Sequence, residues 1–141
     1  MHRIVVIEDN AGDVLLLRLA LDERNEPYEL EVLKDGEDAI RFIDDHERGI
    51  RKPEPCVFVI DLHLPKFDGV AVLRTLKASP LLAHIHTVVL TSSASPREEA
   101  EVLALGVRLY KTKPLLLEEF LKLGAEIIAI CKDQQTRYAG V

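Results

Sequence analysis

Residues 57–65 read VFVIDLHLP: four apolar side chains run straight into Asp61, and Pro65 follows four residues later. A carboxylate at the end of a buried strand is costly unless partners meet it there, so the rest of the chain has to supply them. Two other stretches have the same short, β-branched, continuously apolar character, Arg3–Ile7 (RIVVI) and Thr87–Leu90 (TVVL). Segments of that kind are strands covered on both faces. Tyr28–Leu33 (YELEVL) and Val107–Tyr110 (VRLY) alternate or nearly do, which suits strands at the edges of a sheet. Between the five strands lie five helix-like segments, 13–24, 37–47, 69–78, 96–105 and 115–132.

Strict strand–helix alternation implies a parallel α/β sheet. With right-handed crossovers and the second and fifth strands outermost, the expected architecture is a single flavodoxin-like (βα)5 domain of strand order 2-1-3-4-5, helices on both faces. A chain of 141 residues, 48% apolar and 30% charged, fits one soluble globular domain. A net charge of −6 argues against a nucleic-acid partner, because that binding rests on basic residues neutralising phosphates. The amino-terminal apolar run is too short for a signal peptide and no stretch is long enough to span a membrane, so a cytoplasmic, membrane-free location is expected. Cys56 and Cys131, far apart and each in an apolar segment, read as buried free thiols rather than a disulfide or metal pair.

Parallel α/β sheets gather their chemistry at the carboxyl ends of the strands. Those ends carry Glu8 and Asp9 after the first strand, Asp61 on the third, Thr91 and Ser92 on the fourth, and Lys113 after the fifth. Two carboxylates about 4 Å apart repel by roughly 4 kcal/mol at an effective dielectric near 20, so three together call for a cation. Oxygen-only ligands select a hard metal, and Mg²⁺ is commonly held by one or two carboxylates with water filling its octahedron. A carboxylate beside Mg²⁺, a lysine and a hydroxyl is a candidate nucleophile towards phosphorus. No Gly-rich phosphate loop precedes a helix, which argues against a nucleotide as donor.

In this order and spacing the motifs resemble the receiver domain of two-component response regulators. They are the Glu8–Asp9 pair, D-x-x-x-P-x-x-D-G over Asp61–Gly69, Thr91 followed by small residues, and Y-x-x-K-P over Tyr110–Pro114. The resemblance covers residue 3 to about residue 132 and implies Asp61 as phosphoacceptor. It implies Asp9 as a direct Mg²⁺ ligand, Glu8 acting mainly through water, and the backbone carbonyl of His63 completing the metal site. Thr91, Ser92 and Lys113 are then expected at the phosphoryl oxygens, with Thr91 and Tyr110 forming the conformational switch. The His63 imidazole reads as a lip residue, and His84 and His86 lack a third ligand that would make them a metal clip.

The domain is expected over residues 1–133, with 134–141 (QQTRYAGV) a short tail and no output domain. Such a protein is no enzyme beyond its own phosphoryl transfer and dephosphorylation, and it signals through protein–protein contacts. EDNAGDVLLLRLAL and SPLLAHIHTVVLTSSAS further resemble stand-alone receivers that partner phytochrome-type histidine kinases. Two other readings stand beside this one. A haloacid-dehalogenase-like phosphohydrolase shares the nucleophile chemistry but usually has a second aspartate where His63 stands, and a phosphorylation-independent receiver-fold binding module would not need the acidic cluster. Finally, the apolar arc of the helix over 115–132 spans roughly 180°, wider than a sheet-packing stripe. That excess predicts a homodimer through a ridge of Leu117, Leu121 and Ile128.

Overall fold

Five parallel strands form one sheet in the order β2-β1-β3-β4-β5, in a computed structural model that describes residues 1–50, 53–92 and 95–139, with side chains through Gln134. The strands are β1 (His2–Ile7), β2 (Tyr28–Leu33), β3 (Val57–Asp61), β4 (Thr87–Thr91) and β5 (Leu109–Thr112). The helices between and after them are α1 (Ala11–Asp22), α2 (Gly36–Glu47), α3 (Gly69–Ala78), α4 (Pro96–Ala104) and α5 (Leu117–Ala139). The strand order and edge positions match the sequence expectation. No helix among the described residues is long and apolar enough to cross a membrane.

The period-2 geometry of the central strands sorts their side chains onto two faces. Val5, Ile7, Phe58, Ile60 and Val89 pack with Phe42 and Ile43 of α2, Leu73 and Leu76 of α3 and Val102 of α4. Ile4, Val6, Val57, Val59 and Val88 pack on the other face with Leu17 and Leu21 of α1 and Phe120, Leu123 and Ile127 of α5. Both faces are thus covered, which is why the runs Ile4–Ile7, Val57–Ile60 and Val88–Leu90 are apolar at every position. Four helices start on a polar cap: Asn10, Asp35, Asp68 and Ser95 each accept the amide three residues on.

Several boundaries differ from the sequence reading. β5 lies two residues later than Val107–Tyr110, because Val107 is buried in the α4–β5 turn while the edge strand carries the polar Lys111 and Thr112. Asn10 caps α1, so that helix begins at Ala11 and Asp13 falls in its first turn. α5 continues to Ala139, so residues 134–139 prolong the helix and no break falls at 133/134. Gln134 is itself buried, its side-chain oxygen accepting the His86 amide at 2.8 Å.

Two further expectations are corrected. Cys56, just before β3, and Cys131, on α5, are not free thiols: their Cα atoms are 4.9 Å apart and they form a disulfide. A separation of 75 residues along the chain hid a juxtaposition that only the packing of α5 on the sheet creates. The ridge Leu117–Leu121–Ile128 is not a free surface either. Ile128 is buried and Leu121 packs on the same layer, leaving only Leu117 exposed. α1 provides the cover. It approaches so closely that a Cβ on Gly124 would run into the backbone of Ala20.

Candidate functional site

The residues at the carboxyl edge of the sheet are brought there by register. Ile7 of β1 pairs with Ile60 of β3, so Glu8 and Asp9 step off β1 beside Asp61, and Thr91 of β4 pairs with Thr112 of β5, one residue before Lys113. Glu8, Asp61 and Thr91 are buried, while Asp9 is exposed. Gly69 is required at the start of α3, because a Cβ there would collide with the Asp61 carbonyl. That close approach ties the D-G of the motif to the end of β3 that carries Asp61.

Lys113 is the hub. Its Nζ lies 2.7 Å from Glu8 Oε1, 2.7 Å from Asp13 Oδ2 and 3.3 Å from Asp61 Oδ2. The other oxygen of Asp61 accepts the His63 amide at 3.0 Å, and Glu8 Oε2 accepts the Asn10 amide at 3.3 Å. The Lys113 amide donates to the Thr91 carbonyl at 2.7 Å, which fixes the lysine to the end of β4. Carboxylate oxygens of Glu8, Asp9 and Asp61 all fall within 4.8 Å of one another.

The electrostatics express this crowding. Burial, reinforced by the neighbouring Asp61, pushes the Glu8 carboxyl up to about 7 although Lys113 pulls the other way. Burial alone would lower the Lys113 ammonium, but its hydrogen bonds to Asp13 and Glu8 outweigh that and raise it. Three oxygen donors with one lysine form a set suited to a hard divalent cation, with water completing the shell.

His63 stands half-exposed at the rim with Nε2 3.7 Å from Glu98 in the first turn of α4, a lip position as expected. Ser92 is exposed beyond β4, and Ser93 and Ala94, the small residues expected after Thr91, lie outside the described residues. Tyr110 is half-buried against the α2–α3–α4 layer, and its hydroxyl is buried without a hydrogen-bond partner among the described residues. His84 and His86 do not converge on one point: their Nε2 atoms meet Glu54 at 3.1 Å and Asp133 at 3.2 Å.

Sequence reasoning missed Asp13. It read that residue as the start of a helix. The available signal was Asn10, a strong capping residue three positions earlier, which pulls Asp13 into the turn facing the site.

The response regulator receiver domain model matches residues 4–124. Response regulator Rcp1 of Synechocystis sp. is 33% identical over 120 residues, covering 85% of this chain and 82% of the relative. The solved Mn²⁺-bound form of Rcp1 superposes with a TM-score of 0.80 at 32% identity, covering 90% of this chain and 91% of that one. The phosphorylated cyanobacterial phytochrome response regulator RcpA gives 0.79 at 27% identity over 100% and 97%. The bacteriophytochrome response regulator AtBRR gives 0.72 at 32% identity over 92% and 94%. A parallel sheet of this order, an acid cluster at its carboxyl edge and a family match across most of its length establish the chain as a member of the response regulator receiver domain family.

Proposed function

We propose that Asp61 accepts a phosphoryl group from a phosphohistidine of a sensor histidine kinase in a Mg²⁺-dependent reaction, and that the phosphorylated chain signals through protein contacts. The observation that carries this is the position of Asp61: buried at the end of β3, 3.3 Å from Lys113 and clustered with Glu8 and Asp9. An Asp61 oxygen attacks phosphorus, the phosphorus–nitrogen bond breaks, and the imidazole leaves with the bond's electron pair.

Asp9, Asp61, Glu8 and the His63 carbonyl would hold the cation. When bound, Mg²⁺ supplies positive charge against the phosphoryl oxygens and the crowded acids. Lys113 is the protein's own counter-charge: it leaves its resting carboxylate partners to pair with the transferred group. The Thr91 hydroxyl and the neighbouring Ser92 receive the remaining phosphoryl oxygens. Movement of Thr91 towards the phosphoryl group frees space into which the half-buried Tyr110 ring settles, carrying the event to the β4–α4–β5 side.

Similarity to RcpA and AtBRR supports a phytochrome-type kinase as donor, since those proteins are phytochrome and bacteriophytochrome response regulators. The disulfide bears on neither step, as it sits at the opposite end of the sheet. Incubation with acetyl phosphate and Mg²⁺ tests the reading by intact mass: one phosphate on the wild type and none on Asp61→Asn, which keeps the shape but removes the nucleophile. Undiminished label on that variant sinks the assignment, and continuous release of phosphate without a labelled protein points instead to a phosphohydrolase.

A further inference from the structure

The amino end of the sheet holds a second cluster of metal-ligating atoms. His2 opens β1, Cys56 precedes β3 and Cys131 lies on α5, and one ligand atom from each falls within 4.8 Å of the others. All three are buried, at 8%, 6% and 0% exposure. The His2 ring has its Nε2 3.1 Å from Glu26 Oε1, while the other carboxylate oxygen of Glu26 pairs with Lys132 at 3.0 Å. The His2 Nδ1 is buried and has no hydrogen-bond partner among the described residues.

That orphan nitrogen is the informative feature. A carboxylate on one ring nitrogen fixes the tautomer with its proton on Nε2, leaving a lone pair on Nδ1. A lone pair buried without a donor forfeits its hydration and gets nothing in return. Histidines that ligate metals have this arrangement, with a carboxylate outside and the free nitrogen turned inwards. Here the Cys56 and Cys131 sulfurs lie within 4.8 Å of a ring nitrogen of His2.

We propose that, once the Cys56–Cys131 bond is reduced, Cys56, Cys131 and His2 bind a thiophilic cation of the Zn²⁺ class, so that this end of the sheet alternates between a disulfide and a metal thiolate. The balance is simple. A small dithiol or dithiol protein gives two electrons and two protons to the disulfide, becomes a disulfide itself, and leaves two cysteine thiols. Zn²⁺ then displaces both thiol protons to solvent. Two thiolates cancel the charge of the ion, so the buried centre is neutral and its desolvation is tolerable.

Two sulfurs and one imidazole select a soft or borderline metal, whereas the Glu8–Asp9–Asp61 cluster at the other end offers only oxygen. A cavity of about 330 Å³, whose lining includes Arg3, Glu54, Cys56, His84 and Gln134, adjoins Cys56, and a water would take the ion's fourth position. Binding would link β1, β3 and α5 through one ion, in place of the covalent link between the β3 approach and α5.

Co²⁺ is the probe that distinguishes the two ends of the sheet, since thiolate ligation produces an intense near-ultraviolet charge-transfer band and oxygen ligation does not. The full chain, reduced with a water-soluble phosphine and held anaerobically with excess Mg²⁺, is expected to develop that band to an equimolar end point. Zn²⁺ should abolish it, and unreduced protein should never form it. Glu26→Gln, which leaves all three ligands and the core intact, should weaken Co²⁺ binding about 10-fold. His2→Gln should weaken it further, with circular dichroism confirming the fold of each variant. Absence of the band in reduced, folded wild type overturns the proposal, as does a band whose affinity is the same in both variants.

Discussion

The two ends of this sheet are opposites in chemistry and in how they are held. At the carboxyl end, Glu8, Asp13 and Asp61 surround one ammonium, so acids outnumber the base and the resting state is electrostatically unfinished. At the amino end, Cys56 and Cys131 sit among apolar side chains, and a covalent bond holds β3 to α5 without any charge. On the proposed mechanism one end changes partner when a charged group arrives, and on the proposed redox chemistry the other stays closed unless electrons are supplied. The same parallel topology produces both, because loops that leave the strands gather functional acids while the opposite edge is free to be stitched.

Removing the hub should expose the contrast most strongly. Lys113→Ala leaves three carboxylates without their common cation, and breaking a buried ion pair typically costs about 3–5 kcal/mol. Urea unfolding without Mg²⁺ should show this loss at pH 8 and a smaller one at pH 5, where Glu8 takes up a proton. An equal loss at both pH values would mean that the lysine acts through packing. The variant should still accept phosphate slowly, yet its backbone chemical shifts should lack the wild-type changes at Thr91 and Tyr110.

Reduction at the other end should cost slightly less and be indifferent to pH below the thiol range. Opening a loop closed over 75 residues removes about 4.5 kcal/mol in the chain-entropy model, with about 2–4 kcal/mol typical of measured bridges. Unfolding midpoints with and without a phosphine reductant give the value. A midpoint that does not move would show that packing of α5 against α1 carries the whole junction.

How each end could be read in the sequence follows from the same contrast. Glu8, Asp9, Asp61 and Thr91 were legible because each ends or follows a short apolar run, Lys113 because it comes just after the edge strand, and strand ends in a parallel sheet share an edge. The strand order followed from which strands were apolar throughout. The disulfide was not legible, since Cys56 and Cys131 look like ordinary core residues and their proximity depends on the path of α5. Leu121 and Ile128 were misread for a related reason: a helix wheel gives the width of the apolar arc but not the second partner covering it, α1, which packs closely against α5 at Gly124. β5 was misplaced by two residues because an edge strand with a polar rim has no apolar run to mark it.

The Glu8 carboxyl gives a finer test of the unfinished end. Its value rises from 4.5 to about 7 on folding, so between those limits the native state holds more of this proton than the unfolded chain does. Stability from this group is therefore fully present below pH 4.5 and is lost as pH rises towards 7, with a slope of at most about 1.4 kcal/mol per pH unit. Saturating Mg²⁺ favours the ionised carboxylate and should flatten the slope. Unfolding series from pH 4.5 to 8 on wild type and Glu8→Gln separate this group from the rest, and an identical slope in both assigns it elsewhere.

The smallest expected effect belongs to Asp13, the partner of Lys113 that lies outside the cation cluster. Its side chain is a quarter exposed, at 25%, so water already screens the 2.7 Å contact. Asp13→Asn keeps the size of the side chain and an oxygen acceptor, and leaves the Asn10 cap on its amide untouched. Loss of the charge should cost about 1 kcal/mol or less in the resting protein. The functional sign is the opposite. Asp13 holds Lys113 in the resting arrangement, and on the proposed mechanism the lysine must turn towards the phosphoryl group, so weakening its hold favours the phosphorylated state. A difference of about 1 kcal/mol corresponds to roughly a fivefold shift, read as the fraction of Asp13→Asn labelled by limiting acetyl phosphate against wild type. A variant labelled less than wild type would place Asp13 among the contacts kept by the phosphorylated state, and the idea that it opposes transfer would be lost.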